Sequence, residues 1–514
     1  MALGIGMRTR VPTSVLAIFA GVVLQLLSTP VDDALVRDGL LIAATFLVFA
    51  VGAEIERKPL RGYRRMALGL ASMTLVVTAA VGAFLWAMMD LDGWTAIYWV
   101  TALSASSTLL VFDLLRRREQ LFEPTGRLVS ATALMQDLMV ILALAVFVAL
   151  APTTPHPAGI LAGVAGLAVA GWLLSRWVAP FFMQRVGLDE EERLLFILLV
   201  LFGFAAVARW TGGALVTGAY FAGLAISKFP VGDLARGYLK SFSDFFTTIF
   251  YVTLGLLIAV PSPGQVVTEL VFVAIIVIVR PLILLPVVRG SGLTVRSSIE
   301  TVTLLAQAGE LAVIVAVVGV ELGHLAEATL GAVVAVVAVT TGVVPWLSSD
   351  RVIWHLTRWY PSRRRVSFDK APSDHVLLLG CGETGSRVLA ALRRTSRDVV
   401  VIDGDPEVVR SLARDGVSAL RGDAADPEVL QVARADRATA ILSTMRRAED
   451  NARLLSNVRG PAVFVRVFSE QEANRVRELG GQPIVEAELA AQALLDWHAA
   501  MVSGKIPAET GPPS

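Results

Sequence analysis

The sequence has little cysteine and little charge. It contains one cysteine, Cys381, in 514 residues, and charged residues make up only 17%. One cysteine excludes an intrachain disulfide and a cysteine-based metal site. Soluble domains carry about a quarter charged residues, so the composition argues against one large soluble enzyme. The formal net charge of +1 offers no basic surface to a nucleic acid, and we expect no such partner.

The charged residues are concentrated near the end of the chain. Residues 373–514 hold 37 of them in 142 positions, whereas the 372 residues before hold 52. The first proportion is normal for a soluble domain, and the second is too low for one. We therefore predict a membrane domain at 8–349, a basic linker at 350–372, a soluble domain at 373–500 and a disordered tail at 501–514.

The membrane part contains a series of long apolar runs, and a spanning helix needs about 20 such residues. We predict about twelve spans, near 12–29, 38–55, 66–89, 95–113, 128–150, 158–180, 194–209, 212–227, 242–260, 266–288, 297–320 and 327–348. The loops between them alternate between basic and nearly free of Lys and Arg, with Arg37 and Arg209 as exceptions. Basic loops face the cytoplasm, which predicts a multi-pass inner or plasma membrane protein with a cytoplasmic C-terminal domain.

Three charged residues lie inside predicted spans, namely Asp137, Arg280 and Glu310. Charges within a membrane are expensive, and each is a candidate functional residue. The alternative is that they form structural ion pairs that only join helices.

Two spans contain runs of small polar residues, at 101–108 and 301–309. Such runs are typical of close helix packing. Their corresponding positions in the two halves also fit the broken helices with which inverted-repeat transporters contact ions at the midplane. If the helices are broken, a cation and a carboxylate nearby would offset the charges of the half-helix ends.

The soluble part begins with a pattern typical of a dinucleotide-binding fold. A buried strand at 375–380 leads into a G-x-G-x-x-G loop and an apolar-periodic helix, and a second strand ends at Asp403, at the spacing of a ribose-binding acid. The loop residues that would contact phosphate are Gly380, Gly382, Glu383, Thr384 and Gly385. An acid at Asp403 disfavours a 2′-phosphate and so argues against NADP. Cys381 is interpreted as a small turn residue, with a redox switch as the alternative.

With these motifs the membrane part resembles the monovalent cation:proton antiporter-2 family, which includes glutathione-gated potassium efflux systems. The resemblance covers nearly all of residues 8–350 and depends on the runs at 46–56, 102–108 and 213–223, and on Gln136-Asp137, Arg280 and Gln307–Glu310. It implies an alternating-access exchanger of the inverted-repeat Na⁺/H⁺ antiporter fold, with a core domain and a dimerisation domain.

The family also implies roles for single residues. Asp137 becomes the carboxylate that the ion and the proton share, and Ser107, Thr108 and Gln136 become sources of neutral oxygens for the ion. Arg280 takes a structural or charge-balancing role, and Gln136 in place of a second acid resembles the electroneutral branch. The family usually has thirteen spans, and two interpretations stay open: the first span is missing and residues 1–7 are its remnant, or the protein has twelve spans.

The soluble part resembles the nucleotide-binding N-terminal module of RCK domains, also called TrkA-N, over about 374–500. Gly422-Asp423-Ala424 fits that family and suggests that Asp423 lies near the ligand, although Asp423 could instead cap a helix. The resemblance implies an α/β Rossmann-like domain that binds NAD(H), AMP or ATP. It also implies a homodimer through the membrane and RCK domains.

The leading hypothesis is a transporter, not an enzyme, that exchanges K⁺ or Na⁺ for H⁺ in a lipid membrane under nucleotide control. A potassium efflux channel is the second hypothesis, but the sequence has no Thr-Val-Gly-Tyr-Gly filter and too many spans for a two-span pore. An NAD-dependent membrane oxidoreductase is the third, and the sequence offers it no hydride-acceptor site. Which cation and which nucleotide are used stays open, and no residue set supports glutathione gating.

Overall fold

The computed structural model describes residues 13–27, 33–53, 63–89, 92–121, 123–151, 156–182, 189–227, 233–258, 263–360, 374–394 and 398–502. Residues 361–372 of the predicted linker, 503–514 of the predicted tail and the predicted remnant at 1–7 lie outside this part. The chain forms two compact units. One comprises Met1–Ser291 and Ser297–Arg358, and the other comprises Gly292–Arg296 and Trp359–Ser514.

The described residues of the first unit form helices and connecting loops, and no strand. Its helices are α1 (Thr13–Leu27), α2 (Asp33–Ala53), α3 (Arg64–Met89), α4 (Gly93–Ser104), α5 (Thr108–Arg117), α6 (Pro124–Leu150), α7 (Pro157–Leu173), α8 (Glu190–Trp210), α9 (Leu215–Ile226), α10 (Asp233–Leu256), α11 (Pro263–Ala274), α12 (Arg280–Gly290), α13 (Val295–Leu304), α14 (Glu310–Glu321), α15 (Glu327–Leu347) and α16 (Asp350–Trp359). Each of the twelve predicted spans coincides with one of these helices or with an interrupted pair.

The lengths of these helices agree with a membrane location. Eight segments of the described chain are long and apolar enough to cross a membrane, and α1 and α9 contain shorter apolar helices. The remaining two predicted spans correspond to α10 and to the interrupted pair α13 and α14. The predicted fold of about twelve spans is therefore confirmed, with shorter helices at some of the positions.

Two π-helical turns interrupt the long membrane helices. They cover Leu174–Val178 after α7 and Ile275–Val279 before α12. Both are followed two residues later by a proline, Pro180 or Pro281. Proline lacks the N–H group that would continue the α-helical hydrogen-bond ladder, and the wider turn accommodates this loss. The second turn places Arg280 at the first position of α12.

Most of these helices fall into two groups, and α7 packs against both. The scaffold helices are α1, α2, α8, α9 and α10, and the site helices are α3, α4, α5, α6, α11, α12, α13, α14 and α15. The scaffold helices approach one another at glycines: a Cβ added at Gly21 would lie 2.1 Å from the carbonyl oxygen of Val252, and one at Gly223 would lie 2.2 Å from that of Phe49. Backbones in such direct contact make α1 with α10, and α2 with α9, closely packed pairs.

The second unit contains a six-stranded parallel sheet between helices. Its strands are β1 (Val376–Leu379), β2 (Val399–Asp403), β3 (Ser418–Arg421), β4 (Ala440–Ser443), β5 (Ala462–Val467) and β6 (Gln482–Val485). Its helices are α17 (Glu383–Arg394), α18 (Pro406–Arg414), α19 (Pro427–Val432), α20 (Ala448–Asn457), α21 (Glu470–Glu478) and α22 (Glu486–Val502).

The strand order is β3-β2-β1-β4-β5-β6, with all neighbouring pairs parallel. Strand β1 lies at the centre and is buried along its whole length, which explains its unbroken apolar sequence. This is the doubly wound Rossmann order. Successive strands are added in one direction from β1 to β3 and in the other from β4 to β6, and ligands bind at the carboxyl ends of the strands at this switch point between β1 and β4. The predicted Rossmann-like fold is confirmed.

Candidate functional site

Two interrupted helices cross at the centre of the site helices. Helix α4 ends at Ser104 and α5 begins at Thr108, while α13 ends at Leu304 and α14 begins at Glu310. The two breaks are bonded to each other, because the N–H of Gly309 donates to the carbonyl of Ala105 at 3.0 Å. The broken-helix interpretation of both small-residue runs is therefore correct. Two carboxyl ends and two amino ends of helices meet at one place, with partial negative and partial positive charge respectively.

Arg280 neutralises the carboxyl ends at this crossing. Its Nη1 donates to the carbonyl oxygen of Leu103 at 3.1 Å and to that of Gln307 at 3.4 Å, and its Nη2 donates to Ser106 Oγ at 2.5 Å. The side chain is fully buried. Leu103 lies in the last turn of α4 and Gln307 follows α13, so one guanidinium satisfies carbonyls of both breaks. Arg280 therefore joins the two breaks through backbone carbonyls. This differs from the structural ion pair between helices that was the alternative interpretation of the charged residues in the spans.

Glu310 occupies the opposite, positive side of the crossing. It is the first residue of α14, where a carboxylate is favoured by the helix dipole. Ser107 Oγ donates to Glu310 Oε1 at 2.5 Å and accepts from the N–H of Leu110 at 3.1 Å, which makes Ser107 the N-cap of α5. Tyr251 of α10 donates its hydroxyl to the same Oε1 at 2.6 Å. One carboxylate oxygen therefore receives two hydroxyl donors.

Asp137 lies in the middle of α6 with only 3% of its surface exposed. Thr108 Oγ1 donates to Asp137 Oδ2 at 2.5 Å, from the first residue of α5. Asp137 and Glu310 are close enough to interact electrostatically, and Tyr220 of α9 is similarly close to Asp137. The predicted ion-site residues therefore lie together at the crossing.

Gln136 contributes to the same crossing through a different contact. Its Oε1 accepts a hydrogen bond from the N–H of Ser106 at 3.1 Å, and its Nε2 donates to Thr74 Oγ1 at 3.3 Å. A carbonyl oxygen has two lone pairs, so one remains for a further partner. In this structure Gln136 fixes the position of the first break. Its role as an ion ligand stays a prediction.

Sequence reasoning missed several polar residues that complete the crossing. Tyr251 is the most important, and Thr340 of α15 also belongs here because its Oγ1 accepts from the N–H of Ala308 at 3.2 Å. Both residues lie in mostly apolar helical stretches that also contain other threonines. A tyrosine hydroxyl or a threonine inside a membrane span was the available signal, but such residues are common in spans and point to no particular partner.

The glycine-rich loop of the second unit connects β1 to α17. Gly380 has a φ of +81°, a conformation that favours glycine. A Cβ added at Gly385 would lie 2.2 Å from the carbonyl oxygen of Gly380, whereas one at Gly382 would meet no atom within 4 Å. Glu383 and Thr384 follow in the first turn of α17, where amide groups are available to an anion. The loop has the form that phosphate binding requires.

Asp403 ends β2 directly beside this loop. Its Oδ2 accepts from the N–H of Cys381 at 2.6 Å, and its Oδ1 accepts from the N–H of Asp405 at 2.7 Å. Thr444, which sequence reasoning missed, donates from Oγ1 to the carbonyl of Gly380 at 2.9 Å. The loop is therefore held between the ends of β2 and β4, at the reversal point of the sheet.

Asp423 lies just after β3 at the same edge. Its Oδ1 accepts from the N–H of Ala425 at 2.9 Å, and the residue that caps α19 is Asp426. The helix-cap interpretation of Asp423 is therefore wrong. Arg296 Nη1, in the short segment that belongs to this unit, lies 3.2 Å from Asp423 Oδ2 and 2.7 Å from Asp450 Oδ1. Asp423 is thus part of a mostly buried ion-pair cluster at the predicted ligand edge.

We expect the thiol of Cys381 to react slowly at neutral pH. Burial, with a smaller contribution from the nearby carboxylate of Asp403, raises the pKa of Cys381 to about 11, against about 8.5 for a free thiol. Only the thiolate reacts, so the alkylation rate should rise steadily between pH 7 and pH 10 without reaching a plateau. Iodoacetamide labelling followed by mass spectrometry, with free cysteine as the control, measures this. A plateau near pH 8.5 would contradict the expectation and favour a redox switch.

The fold and the crossing define a class of protein, a multi-pass transporter of the inverted-repeat antiporter type joined to a Rossmann domain. The family model described as "Sodium/hydrogen exchanger, transmembrane" matches residues 1–349. The chain belongs to this family. A second model, for the TrkA-N domain, matches residues 376–486.

The chain is also similar to one curated protein and to two solved structures. The chain is 25% identical over 480 residues to the Escherichia coli (strain K12) protein named "Putative cation/proton antiporter YbaL", covering 86% of this chain and 84% of that protein. The sodium proton antiporter MjNhaP1 of Methanocaldococcus jannaschii has a similar fold, with a TM-score of 0.52 and 16% identity over 69% of this chain and 94% of that one. The TrkA-N domain of ybaL from Escherichia coli also matches, with a TM-score of 0.24 and 23% identity over 25% of this chain and 98% of that one.

A cation/proton antiporter domain and a TrkA-N domain therefore form one multi-pass membrane protein. The predictions of family, fold class and transport function are confirmed at this level. The C-terminal domain is confirmed as a TrkA-N domain with a Rossmann-like parallel sheet.

Proposed function

We propose that this protein exchanges K⁺ or Na⁺ for H⁺ by alternating access, and that Asp137 binds the cation and the proton in turn. The observation that carries the proposal is the position of Asp137 at the crossing. Arg280 donates hydrogen bonds to carbonyls at the negative helix ends, and Glu310 lies at the positive helix ends. The hydroxyl of Thr108 donates a hydrogen bond to Asp137. A negative charge inside a membrane is costly, so a proton or a metal cation that neutralises Asp137 is favoured.

The chemistry of the crossing suits an alkali cation. Thr108, Ser107 and Gln136 provide neutral oxygens next to the carboxylate, and alkali cations, as hard ions, take oxygen ligands. An anionic Asp137 would attract the cation, and a proton on the same carboxylate would exclude it. Competition of the two ions for one group gives coupled exchange without a separate proton path.

The test is ion exchange by the full-length protein in vesicles that contain a pH-sensitive dye. We expect an imposed gradient of K⁺ or Na⁺ to drive proton movement, and an imposed pH gradient to drive cation movement. A channel would carry cations without this coupling, and its current would not depend on the proton gradient. Coupling that is absent for both cations would overturn the proposal.

We also propose that the TrkA-N domain binds NAD(H), AMP or ATP and thereby regulates exchange. The glycine loop, the amino end of α17 and Asp403 support a nucleotide whose ribose carries free hydroxyl groups. Calorimetry with the full chain should show binding of at least one of these nucleotides and much weaker binding of NADP. Exchange measured with and without that nucleotide then gives the direction of regulation.

A pair of glycine variants separates folding from binding in this domain. Gly385→Ala forces a Cβ against the carbonyl of Gly380, and we expect it to destabilise the domain by about 1–3 kcal/mol. Gly382→Ala has room for its Cβ and should leave stability unchanged, but it blocks the close approach of a phosphate and should weaken nucleotide binding about tenfold or more. Thermal unfolding and calorimetry of both variants check this. Normal nucleotide affinity in Gly382→Ala would contradict the proposed binding mode.

We further propose that the protein is a homodimer embedded in lipid. Helix α22 exposes Leu489, Leu494 and Leu495 by 58%, 63% and 63% of their surfaces, and contiguous exposed apolar side chains mark interaction surfaces. The exposed apolar side chains of the membrane helices, such as Leu199 and Trp210, fit contact with lipid tails. Mass measurement in detergent should give twice the chain mass, and a monomer would contradict the dimer.

A further inference from the structure

A short segment of the chain lies at the carboxyl edge of the parallel sheet. Gly292–Arg296 belongs to the second unit, although the chain up to Ser291 and from Ser297 onward belongs to the first. Leu293 is buried in this position with 2% of its surface exposed, and Arg296 with 4%. The segment is therefore packed into the second unit and is not an exposed loop.

The guanidinium of Arg296 spans the place at which a nucleotide would bind. Its Nη1 lies 2.7 Å from Asp450 Oδ1 and 3.2 Å from Asp423 Oδ2. Asp423 follows β3, and Asp450 lies in the first turn of α20, after β4. Strands β2 and β1 lie between β3 and β4 in the sheet, and they end at Asp403 and at the glycine-rich loop. One nitrogen bonded to both acids therefore lies across the crevice at the switch point, where ligands of this fold bind.

Another part of the same segment reaches the residue beside the predicted ribose-binding acid, Asp403. A Cβ added at Gly404 would lie 3.9 Å from Thr294 Cγ2, and one at Gly292 would lie 3.0 Å from Nη1 of Arg421, the last residue of β3. In a Rossmann domain the ribose binds to the acid that ends the second strand. The segment and the adenosine half of a nucleotide would therefore occupy overlapping space.

We infer that Gly292–Arg296 is an internal plug of the nucleotide crevice, which an adenine nucleotide must displace in order to bind. The inference rests on the proposed nucleotide binding of this domain. The plug offers a guanidinium to Asp423, whereas a nucleotide would bring its ribose and base to the same edge. Two occupants that exclude each other compete for the crevice, so the plugged fraction of the molecules lowers the apparent affinity for the nucleotide.

The plug continues directly into one half-helix of the crossing. Arg296 lies in the first turn of α13, which ends at Leu304, just before the second break. The plugged form therefore holds the first turn of α13 through Arg296, and displacement of the plug releases it. A nucleotide that binds only the unplugged form shifts the balance between these two states of the half-helix. This gives the proposed regulation a physical path.

The first test is the nucleotide affinity of full-length Arg296→Gln, measured by calorimetry with NAD⁺, NADH, AMP and ATP in turn. We expect this variant to bind at least one of them about tenfold more tightly than the unaltered protein, because it lacks the charge that holds the plug. Asp450 keeps a cationic neighbour, since Arg447 Nε lies 3.7 Å from its Oδ2, so we expect the variant to fold. Arg466→Gln is the matched control. Arg466 pairs with Glu486 at 2.6 Å, between β5 and α22, and its replacement should leave the affinity unchanged.

The second test measures displacement of the plug directly and leaves Arg296 in place. The thiol of Leu293→Cys is buried while the plug occupies the crevice, and we expect saturating nucleotide to increase its alkylation by iodoacetamide several-fold. Mass spectrometry of the separated peptides distinguishes this thiol from Cys381. Leu389→Cys is the control, because Leu389 is buried in α17 of the same domain, and nucleotide should not increase its alkylation.

The outcomes separate the plug from the nucleotide function. Equal or weaker binding by folded Arg296→Gln, or nucleotide binding that leaves the alkylation of Leu293→Cys unchanged or slower, would overturn the plug, because the segment would then stay in place or complete the site. Failure of both the unaltered protein and Arg296→Gln to bind any of the four nucleotides would overturn the proposed nucleotide binding instead. In vesicles, exchange by Arg296→Gln should respond less to the nucleotide than exchange by the unaltered protein. A measurable and equal response of both would contradict the path through α13.

Discussion

Replacing Asp137 with Asn should abolish coupled exchange while the protein remains folded. The amide keeps the shape of the side chain and can still contact Thr108, but it carries neither a proton nor the negative charge that a cation requires. We expect the exchange rate to fall by more than about 100-fold, which corresponds to about 2.7 kcal/mol. Dye-based exchange in vesicles, with thermal unfolding of the same preparation, measures both expectations.

The matched control for this variant is Asp113→Asn. Asp113 is another aspartate of the membrane unit, but it is about half exposed and forms an ion pair with Arg117 one helical turn away, at 2.9 Å. Exposed pairs of this kind contribute at most about 1 kcal/mol to stability, so the control should retain most of the exchange rate. Full exchange by folded Asp137→Asn would show that another group carries the proton.

Replacing Arg280 with Met should unfold or severely destabilise the membrane unit. The carbonyls of Leu103 and Gln307 and the hydroxyl of Ser106 would lose a buried charged donor, and the carboxyl ends of two helices would face each other without a cation. Each buried acceptor that is left without its donor costs about 1–3 kcal/mol. We expect a large fall in the unfolding temperature, measured by fluorescence-detected size exclusion after heating.

Two other variants define the cause of this effect. Arg280→Lys keeps the charge but replaces a planar fork by a single ammonium group, so we expect an intermediate unfolding temperature. Arg289→Gln changes an arginine in the last turn of the same helix that is only partly buried, and we expect a smaller fall in the unfolding temperature than Arg280→Met gives. If Arg280→Met unfolds at the temperature of the unaltered protein, the guanidinium does not hold the crossing together.

Local sequence pattern predicted the spans, the two breaks and the glycine loop because each depends on residues close together in the chain. Apolar length sets the span, and the small polar run at 101–108 interrupts the helix where its hydroxyl groups offer the backbone other partners. The charged residues Asp137, Arg280 and Glu310 could be predicted for the same reason. A charge within an apolar run can be recognised from the neighbouring residues alone, before its partner is known.

The partners themselves could not be predicted, because they come from distant parts of the chain. Tyr251 reaches Glu310 over 59 residues, and Arg296 reaches Asp450 over 154 residues. The contact of Gln136 with the N–H of Ser106 depends on how the first break is placed against α6, and no local periodicity contains that information. The sequence therefore indicates which residues are unusual, and packing decides what each of them contacts.

The bonds between the two breaks also limit how the sequence of this family member can change in length. The N–H of Gly309 donates to the carbonyl of Ala105, and Ser106 Oγ donates to the carbonyl of Leu305. Particular residues of one break are therefore bonded to particular residues of the other. The break residues include extended ones such as Ala105, Ser107 and Gly309, so an insertion of one residue in either break would displace the half-helix that follows by up to about 3.5 Å. The two segments, about 200 positions apart in the chain, are thus under a common constraint on their lengths, and an insertion in one requires a compensating change in the other.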